Sequence, residues 1–325
     1  MIGAFELGLI YAVVALGVYL TFRILNFPDL TVDGSFTTGA AVAAVCLSYD
    51  MNPVLAILLS FAAGAIAGAI TGVLHTYGKI DGLLAGILTM IALWSVNLRI
   101  MGISNGTAAL SNVGIRSSES AFSGLREAGL LGTWGAVGIL FVAVFVLKLV
   151  IDWFLSTDLG LSIQATGNNE QMIRSFGVNT DAMKILTLAL SNGLVAVGGA
   201  LVAQYTGSAD ISMGVGLILI GLASVILGQA FFGNRWVWLA SFGVIVGAVL
   251  YRLVIFAALS AGLSNTDVRL ITAVIVVIAL LIPRFGIGKR LGLDRLMRGK
   301  QTEPAAAPAT TEAEPAAVPA KEAQQ

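Results

Sequence analysis

About nine runs of mostly apolar residues divide this 325-residue chain, at 3–22, 35–49, 53–74, 83–103, 134–155, 184–206, 216–232, 236–258 and 267–283. Most are long enough to cross the hydrocarbon core of a bilayer as helices, which needs roughly 20 residues. Backbone polar groups in lipid must be satisfied within the segment, so such runs become helices. The expected fold is an all-α polytopic membrane protein of about nine transmembrane helices, with broken or re-entrant segments where a run is short. Composition agrees: 57% of residues are hydrophobic and 11% charged, against roughly a quarter charged in soluble domains.

The charges orient the spans. Arg284, Lys289, Arg290, Arg295, Arg298 and Lys300 follow the last run, which places that end in the cytoplasm by the positive-inside rule. Counting back puts 23–34, 75–82, 156–183 and 233–235 on the same side. Arg23, Lys79, Arg174, Lys184 and Arg235 lie in or beside those segments. Gly3 to Phe22 lacks a basic leader and a small-residue cleavage site and reads as a retained span. Cys46 is the single cysteine, so no intrachain disulfide forms. Residues 1–300 are expected to form one membrane domain. The Pro/Ala/Glu-rich stretch 301–325 has the composition of a disordered tail.

Three polar interruptions stand out. The first, 156–184, is expected to be a loop carrying a short amphipathic helix. Asn168 and Asn169 supply a cap, Glu170 an acidic first turn, Met172, Ile173 and Phe176 an apolar edge, and Gly177 a stop, with Arg174 on the polar side. A helix this short needs a partner to be stable. In the second, Asn26-Phe-Pro-Asp-Leu-Thr-Val-Asp-Gly-Ser-Phe36, Pro28 suits a first helical turn. Asp29 and Asp33 would then share a helix face, and Gly34 would permit a break. With Asn26, Thr31 and Ser35 they are candidates for a path or gate; solvated acids in a cytoplasmic loop are the alternative. In the third, 207–221, Ser212 and Met213 sit among glycines, in either a re-entrant turn or an external one. A faint echo links Tyr77-Gly78 and Asp81 with Tyr205, Gly207 and Asp210, as inverted repeats would.

Other polar groups have plainer readings. Gly64, Gly68 and Gly72, and Gly243 and Gly247, recur at four-residue spacing and are expected to pack helices closely. Lys148 and Asp152 are expected to pair, with the lysine snorkelling to the inner surface. Trp94, Asn97, Asn192, Gln204 and Tyr205 either bond between helices or meet a solute. The segment 104–133 is the longest external connection, either a cap over a pathway, a contact for a soluble partner, or a solvated link. His75 stands alone, so no metal site is expected. Gly72 to Lys79 has five residues between its glycines and Ile80 in place of Ser or Thr, so it is no phosphate-binding loop. If ATP drives this chain, the nucleotide sites lie on another polypeptide.

Ala165-Thr-Gly-Asn-Asn-Glu170 followed by Ser175-Phe-Gly-Val-Asn179 resembles the cytoplasmic coupling loop of ABC importer permeases of the branched-chain amino-acid and ribose group. The small-residue rhythm of Leu190 to Leu201, and Met213-Gly with Ser224 to Gly228, continue the likeness. Asn26-Phe-Pro-Asp-Leu and Asp33-Gly-Ser-Phe are closer to a subgroup associated with tryptophan and tyrosine uptake. The resemblance implies a multi-pass permease of the bacterial inner membrane, with a cytoplasmic C-terminus, importing a small solute, expected to be an aromatic or other amino acid, by alternating access. It implies a second permease copy, expected to make a homodimer, two cytoplasmic ATPases that hold ATP and Mg, and an external solute-binding protein. No cofactor on this chain and no nucleic-acid partner are expected. The competing reading is an ion-coupled secondary transporter using Asp29 or Asp33.

Overall fold

The computed structural model describes residues 1–115, 120–232, 237–262, 270–274 and 277. The apolar run at 267–283, the basic residues from Arg284 to Lys300, Arg235 and the stretch 301–325 lie wholly or largely outside these. The described chain is almost entirely helical. Helix α1 (Ile2–Tyr19) continues through a π-helical turn, Leu20–Ile24. It is followed by α2 (Thr31–Ser48), α3 (Pro53–Thr76) and α4 (Gly82–Ile103). A short strand β1 (Asn112–Gly114) and α5 (Ser123–Glu127) precede α6 (Trp134–Ser156), α7 (Asp158–Asn168) and α8 (Glu170–Ser175). Then come α9 (Thr180–Thr206), β2 (Ser208–Asp210), α10 (Leu217–Phe232) and α11 (Val237–Ser260).

Six helices among the described residues are long and apolar enough to cross a membrane: α1 with its π turn, α3, α4, α6, α9 and α11. That is fewer than the nine expected: the run at 267–283 lies largely outside the described residues, and two other runs give short helices. Helices α2 and α10 have 18 and 16 residues, roughly 27 and 24 Å at 1.5 Å per residue, and both begin inside the bundle.

Helix α9 is the hub, packed against α1, α2 and α3. Small residues let it be. A Cβ on Gly72 would sit 2.8 Å from Ile185 Cα, and a Cβ on Gly64 or Gly68 would collide with the carbonyls of Asn192 or Leu188. On α11, Gly243 and Gly247 meet α10 at Gly228 and Ser224 in the same way. Both glycine stripes are packing devices. Lipid gives helices no hydrophobic reason to associate, so close backbone approach and dispersion must hold them. The outward faces are apolar, with Val54, Leu58, Ile66 and Ile70 of α3 and Val142, Val146 and Val150 of α6 exposed.

The two ends of the bundle differ. At one, β1 pairs antiparallel with β2, Asn112 opposite Asp210. Gln204 Oε1 accepts from Ala121 N–H at 2.8 Å, and Glu6 accepts from Gly132 N–H at 2.8 Å and from the Tyr205 hydroxyl at 2.7 Å. The described parts of the 104–133 connection are thus folded onto the bundle, with Val113, Ile115 and Phe122 buried. At the other end lie α7, α8 and the α3–α4 turn, so Arg23, Lys79, Arg174 and Lys184 gather on one side as the charge pattern requires.

Lys148 does not snorkel. It is wholly buried, 2.6 Å from Asp152, with its ammonium 4.3 Å from the centre of the Trp238 ring. Asp152 in turn accepts from the Ser241 hydroxyl at 2.7 Å. A carboxylate and an aromatic face inside the bundle give the ammonium what the headgroup region would otherwise supply.

Because α3 and α9 touch backbone to backbone, Gly68→Val is expected to destabilise the chain by about 1–3 kcal/mol. Thermal unfolding in detergent will show a lowered midpoint. Gly138→Val, where a Cβ meets nothing within 4 Å, leaves it unchanged.

Candidate functional site

Two helix starts inside the bundle organise the site. After the π turn the chain reverses at Asn26, which has φ of 57°, a left-handed conformation that asparagine tolerates better than most residues. It then climbs along α9 instead of leaving the bundle. Phe27 packs with Leu25 and Leu188 and meets the His75 ring edge-on. Asp29 reaches Asn192, near the middle of α9: its carboxylate accepts from Asn192 Nδ2 at 2.6 Å and from Thr31 N–H at 2.9 Å. Thr31 then hydrogen bonds Thr71 of α3 at 2.8 Å.

The arrangement differs from sequence expectation at three points. Asp29 precedes α2 instead of sharing a helix face with Asp33, because the helix starts only at Thr31, beyond Pro28. Asp29 is 1% exposed, so it is not a solvated loop acid. Gly34 does not break α2; it admits α4, since a Cβ there would lie 2.9 Å from Leu93 Cδ1 and 3.3 Å from Met90 Cα.

The second start is α10. Gly207 ends α9 with φ of 75°, β2 follows, and the chain then descends to α2. A Cβ on Gly214 would strike the Asp33 carbonyl oxygen, so only glycine fits there. The Asp33 carboxylate accepts from Gly216 N–H at 2.8 Å and Ile218 N–H at 2.9 Å. A buried helix N-terminus has unpaired N–H groups and a partial positive charge, and the carboxylate satisfies both. The turn at 207–216 is therefore re-entrant. Helices α1 and α9 run antiparallel, and α2 and α10 each start inside the bundle. Helices α3 and α9, which lead into the echoed segments 77–81 and 205–210, also run antiparallel, as expected of the two pairs.

Between α2, α4 and the descending turn lies a cleft of about 300 Å³. Asp33, Thr37, Trp94 and Asn97 line it together with Met90 and Val215. Of the expected path residues, the structure brings Asp33, Trp94 and Asn97 to this cleft. Asp29, Thr31 and Asn192 form a buried network behind it. Ser35 is wholly buried and Ser212 is exposed, bonded to Asp210. Met213 packs against the apolar clusters of α2 and α9. Asn26 lies at the far end, where its amide donates to the Gly167 carbonyl of α7 at 3.4 Å. Sequence reasoning missed Thr37, Met90 and Val215, and noted Gly34 and Gly214 without placing them at a cleft.

The 156–184 segment is two helices, not a loop with one. Thr157 caps α7 by accepting from Gly160 N–H at 3.3 Å. The cap of α8 is Asn169, which accepts from Met172 N–H at 3.0 Å, whereas Asn168 closes α7. Gly177, with φ of 86°, follows α8 as the stop. Glu170 pairs with Arg174 at 3.0 Å and Lys184 at 2.8 Å, and Arg174 with Asp181 at 3.2 Å and the Thr180 hydroxyl at 2.7 Å. These charges fasten α8 to the first turn of α9. Met172 and Phe176 point away, 48% and 76% exposed; Ile173 is half-buried. Gly167 of α7 lies on the Ile24 carbonyl, leaving no room for a Cβ. Among the described residues no group of three or more His, Cys, Asp or Glu is placed to hold a metal.

The hydrogen bond from Lys184 holds the Glu170 carboxyl below its usual range, aided by the charges of Lys184 and Arg174. A lowered folded-state value stabilises α8 above the ordinary glutamate pKa, and the effect disappears as pH falls through the depressed one.

Residues 1–282 match the sequence profile of the family described as "Branched-chain amino acid transport system / permease component". The chain is 40% identical to the tyrosine transport system permease protein of Clostridioides difficile (strain R20291), over 83% of this chain and 86% of that one. It is 27% identical to the ribose import permease protein RbsC of Escherichia coli (strain K12), over 83% and 81%.

Protection of the α8 amides, measured against the intrinsic exchange rate at each pH, is expected to hold down to the ordinary glutamate range, near pH 4.3, and to fall only at lower pH. Glu170→Gln should lower that protection already at neutral pH.

Proposed function

The chain belongs to the branched-chain amino-acid transport permease family, and on that premise we propose that it is the membrane subunit of an ABC importer whose motor docks on α8. The observation that carries this reading is a helix of six residues, too short to hold itself, riveted by ion pairs on one side and presenting Met172 and Phe176 on the other. Short amphipathic helices with such anchors fill grooves in a partner. The chain supplies the translocation path, and ATP and Mg belong to two cytoplasmic ATPase subunits. A second copy of the chain, an external solute-binding protein on the β1–β2 side, and the bacterial inner membrane with a cytoplasmic C-terminus complete the proposed assembly.

The internal contacts give a mechanical route. Force on α8 passes through Lys184 and Thr180 into α9 and through α7 at Gly167 into the reversal at Ile24 to Asn26. That reversal leads to Asp29, which links the start of α2 to the middle of α9. Asp33 then links α2 to α10, beside the cleft. Rocking α7 and α8 would shift the two inward helix starts relative to each other and open the cleft to one side or the other. The solute is proposed to be an amino acid, aromatic in character, supported by the likeness to the tyrosine permease and by Trp94 at the cleft rim. Both carboxylates named for ion coupling already serve as anchors of helix starts, so the importer reading accounts for them without a coupling ion.

Phe176→Asp is expected to abolish co-purification of the ATPase and ATP-driven uptake while the chain still reaches the membrane. Pull-down and uptake measured on the same cells test this; undiminished ATPase binding and uptake would overturn the docking assignment.

A further inference from the structure

Acceptors predominate at the corner of the cleft between α2 and α4 where Asp33, Thr37 and Asn97 meet. Asn97 is 1% exposed and uses one of its two amide N–H donors on the Gly34 carbonyl at 3.3 Å, while its Oδ1 has no partner among the described residues. Asp33 offers only acceptors. Its oxygens each take one backbone N–H and keep lone pairs on a side chain that is only partly buried. Thr37 commits its hydroxyl proton to the Asp33 carbonyl at 3.3 Å, so it too presents lone pairs. Most of the remaining wall is apolar, with Met90, Ile91 and Trp94 along one side, and the Ser95 hydroxyl is the other polar side chain that lines it besides the Trp94 indole N–H. A buried acceptor left unpaired is costly, and the Asp33 carboxylate, anchored on the α10 N-terminus, stands in the same wall. Such a site is completed by a cationic donor.

We propose that this cleft is a selective binding site for a primary ammonium group, held between Asp33 and Asn97, with the solute's apolar or aromatic body against Met90, Ile91 and Trp94. The proposal rests on the transport reading and sharpens it: the permease itself, and not only a soluble receptor, discriminates amines from neutral sugars. A volume near the lower limit of ligand pockets, roughly 300 Å³, admits one small solute of amino-acid size.

Saturation-transfer NMR on the full chain in lipid nanodiscs tests the site. The probes are L-tyrosine, L-tyrosine methyl ester, 3-(4-hydroxyphenyl)propionate and D-ribose. Expected are binding of both amines, and affinity weaker by roughly tenfold or more for the deaminated acid and for ribose. Asp33→Asn, which removes the charge, and Asn97→Leu, which removes the unpaired acceptor, should each weaken amine binding to a similar degree. Thermal unfolding run alongside identifies a variant that fails only because the α10 cap is disturbed, and Asn97→Leu then decides. Equal binding of the deaminated acid, amine binding unaffected by both variants, or no amine binding would overturn the proposal. If amines bind as expected but no ATPase associates with α8, the importer reading fails and the site stands. If the ATPase associates and the cleft ignores amines, the reverse holds.

Discussion

The hydrogen bonds from Gly216 and Ile218 to Asp33 set the architecture of this protein. A helix that starts inside an apolar bundle has unpaired N–H groups and the positive end of its dipole far from water. Without a carboxylate to meet them, α10 would have to begin near the surface, and the turn carrying Gly214 and Val215 would leave the cleft. Asp29 does the corresponding work at the start of α2, with Asn192 securing its second oxygen. Two acids in an otherwise apolar environment thus permit two short helices, and the short helices create the enclosed space that longer spans would fill.

Around that arrangement α9 acts as the common wall. Gly64, Gly68 and Gly72 bring α3 against it, and Gly39 and Gly199 do the same for α2. Close contact of this kind gives little under load, because packed interiors are nearly incompressible. A displacement imposed at the α8 end therefore reaches the middle of the bundle as movement of whole elements. The buried pair of Lys148 and Asp152 ties α6 to α11 through Trp238 and Ser241 just above the point where the chain turns into α7.

Much of this was legible in the residues. The apolar runs located the helices because period and length are local properties, and the glycine spacing announced close packing. Asn-Asn-Glu and the glycine at 177 placed α8 to within one residue, the error being which asparagine caps it. Depth was what the sequence withheld. Nothing local distinguishes an Asp-Gly segment that turns back into a bundle from one that lies in solvent, since the partners of Asp29 and Asp33 are 163 and 183 residues away. The shortness of the second run was the one available hint. The same limit applied to Lys148, whose spacing to Asp152 gave the pair but whose aromatic partner on α11 is non-local. Trp94 and Asn97 were flagged as polar-edged groups within a span, yet only the folded chain shows them sharing a cleft with Asp33.

A solute path that depends on a separate motor can be checked by uptake of radiolabelled L-tyrosine into proteoliposomes, comparing the chain alone with the chain plus its co-purified ATPase and external binding protein. Accumulation is expected only in the complete system, dependent on ATP on the side of α8 and indifferent to proton or sodium gradients. Gradient-driven accumulation by the chain alone would rule out the dependence on a motor.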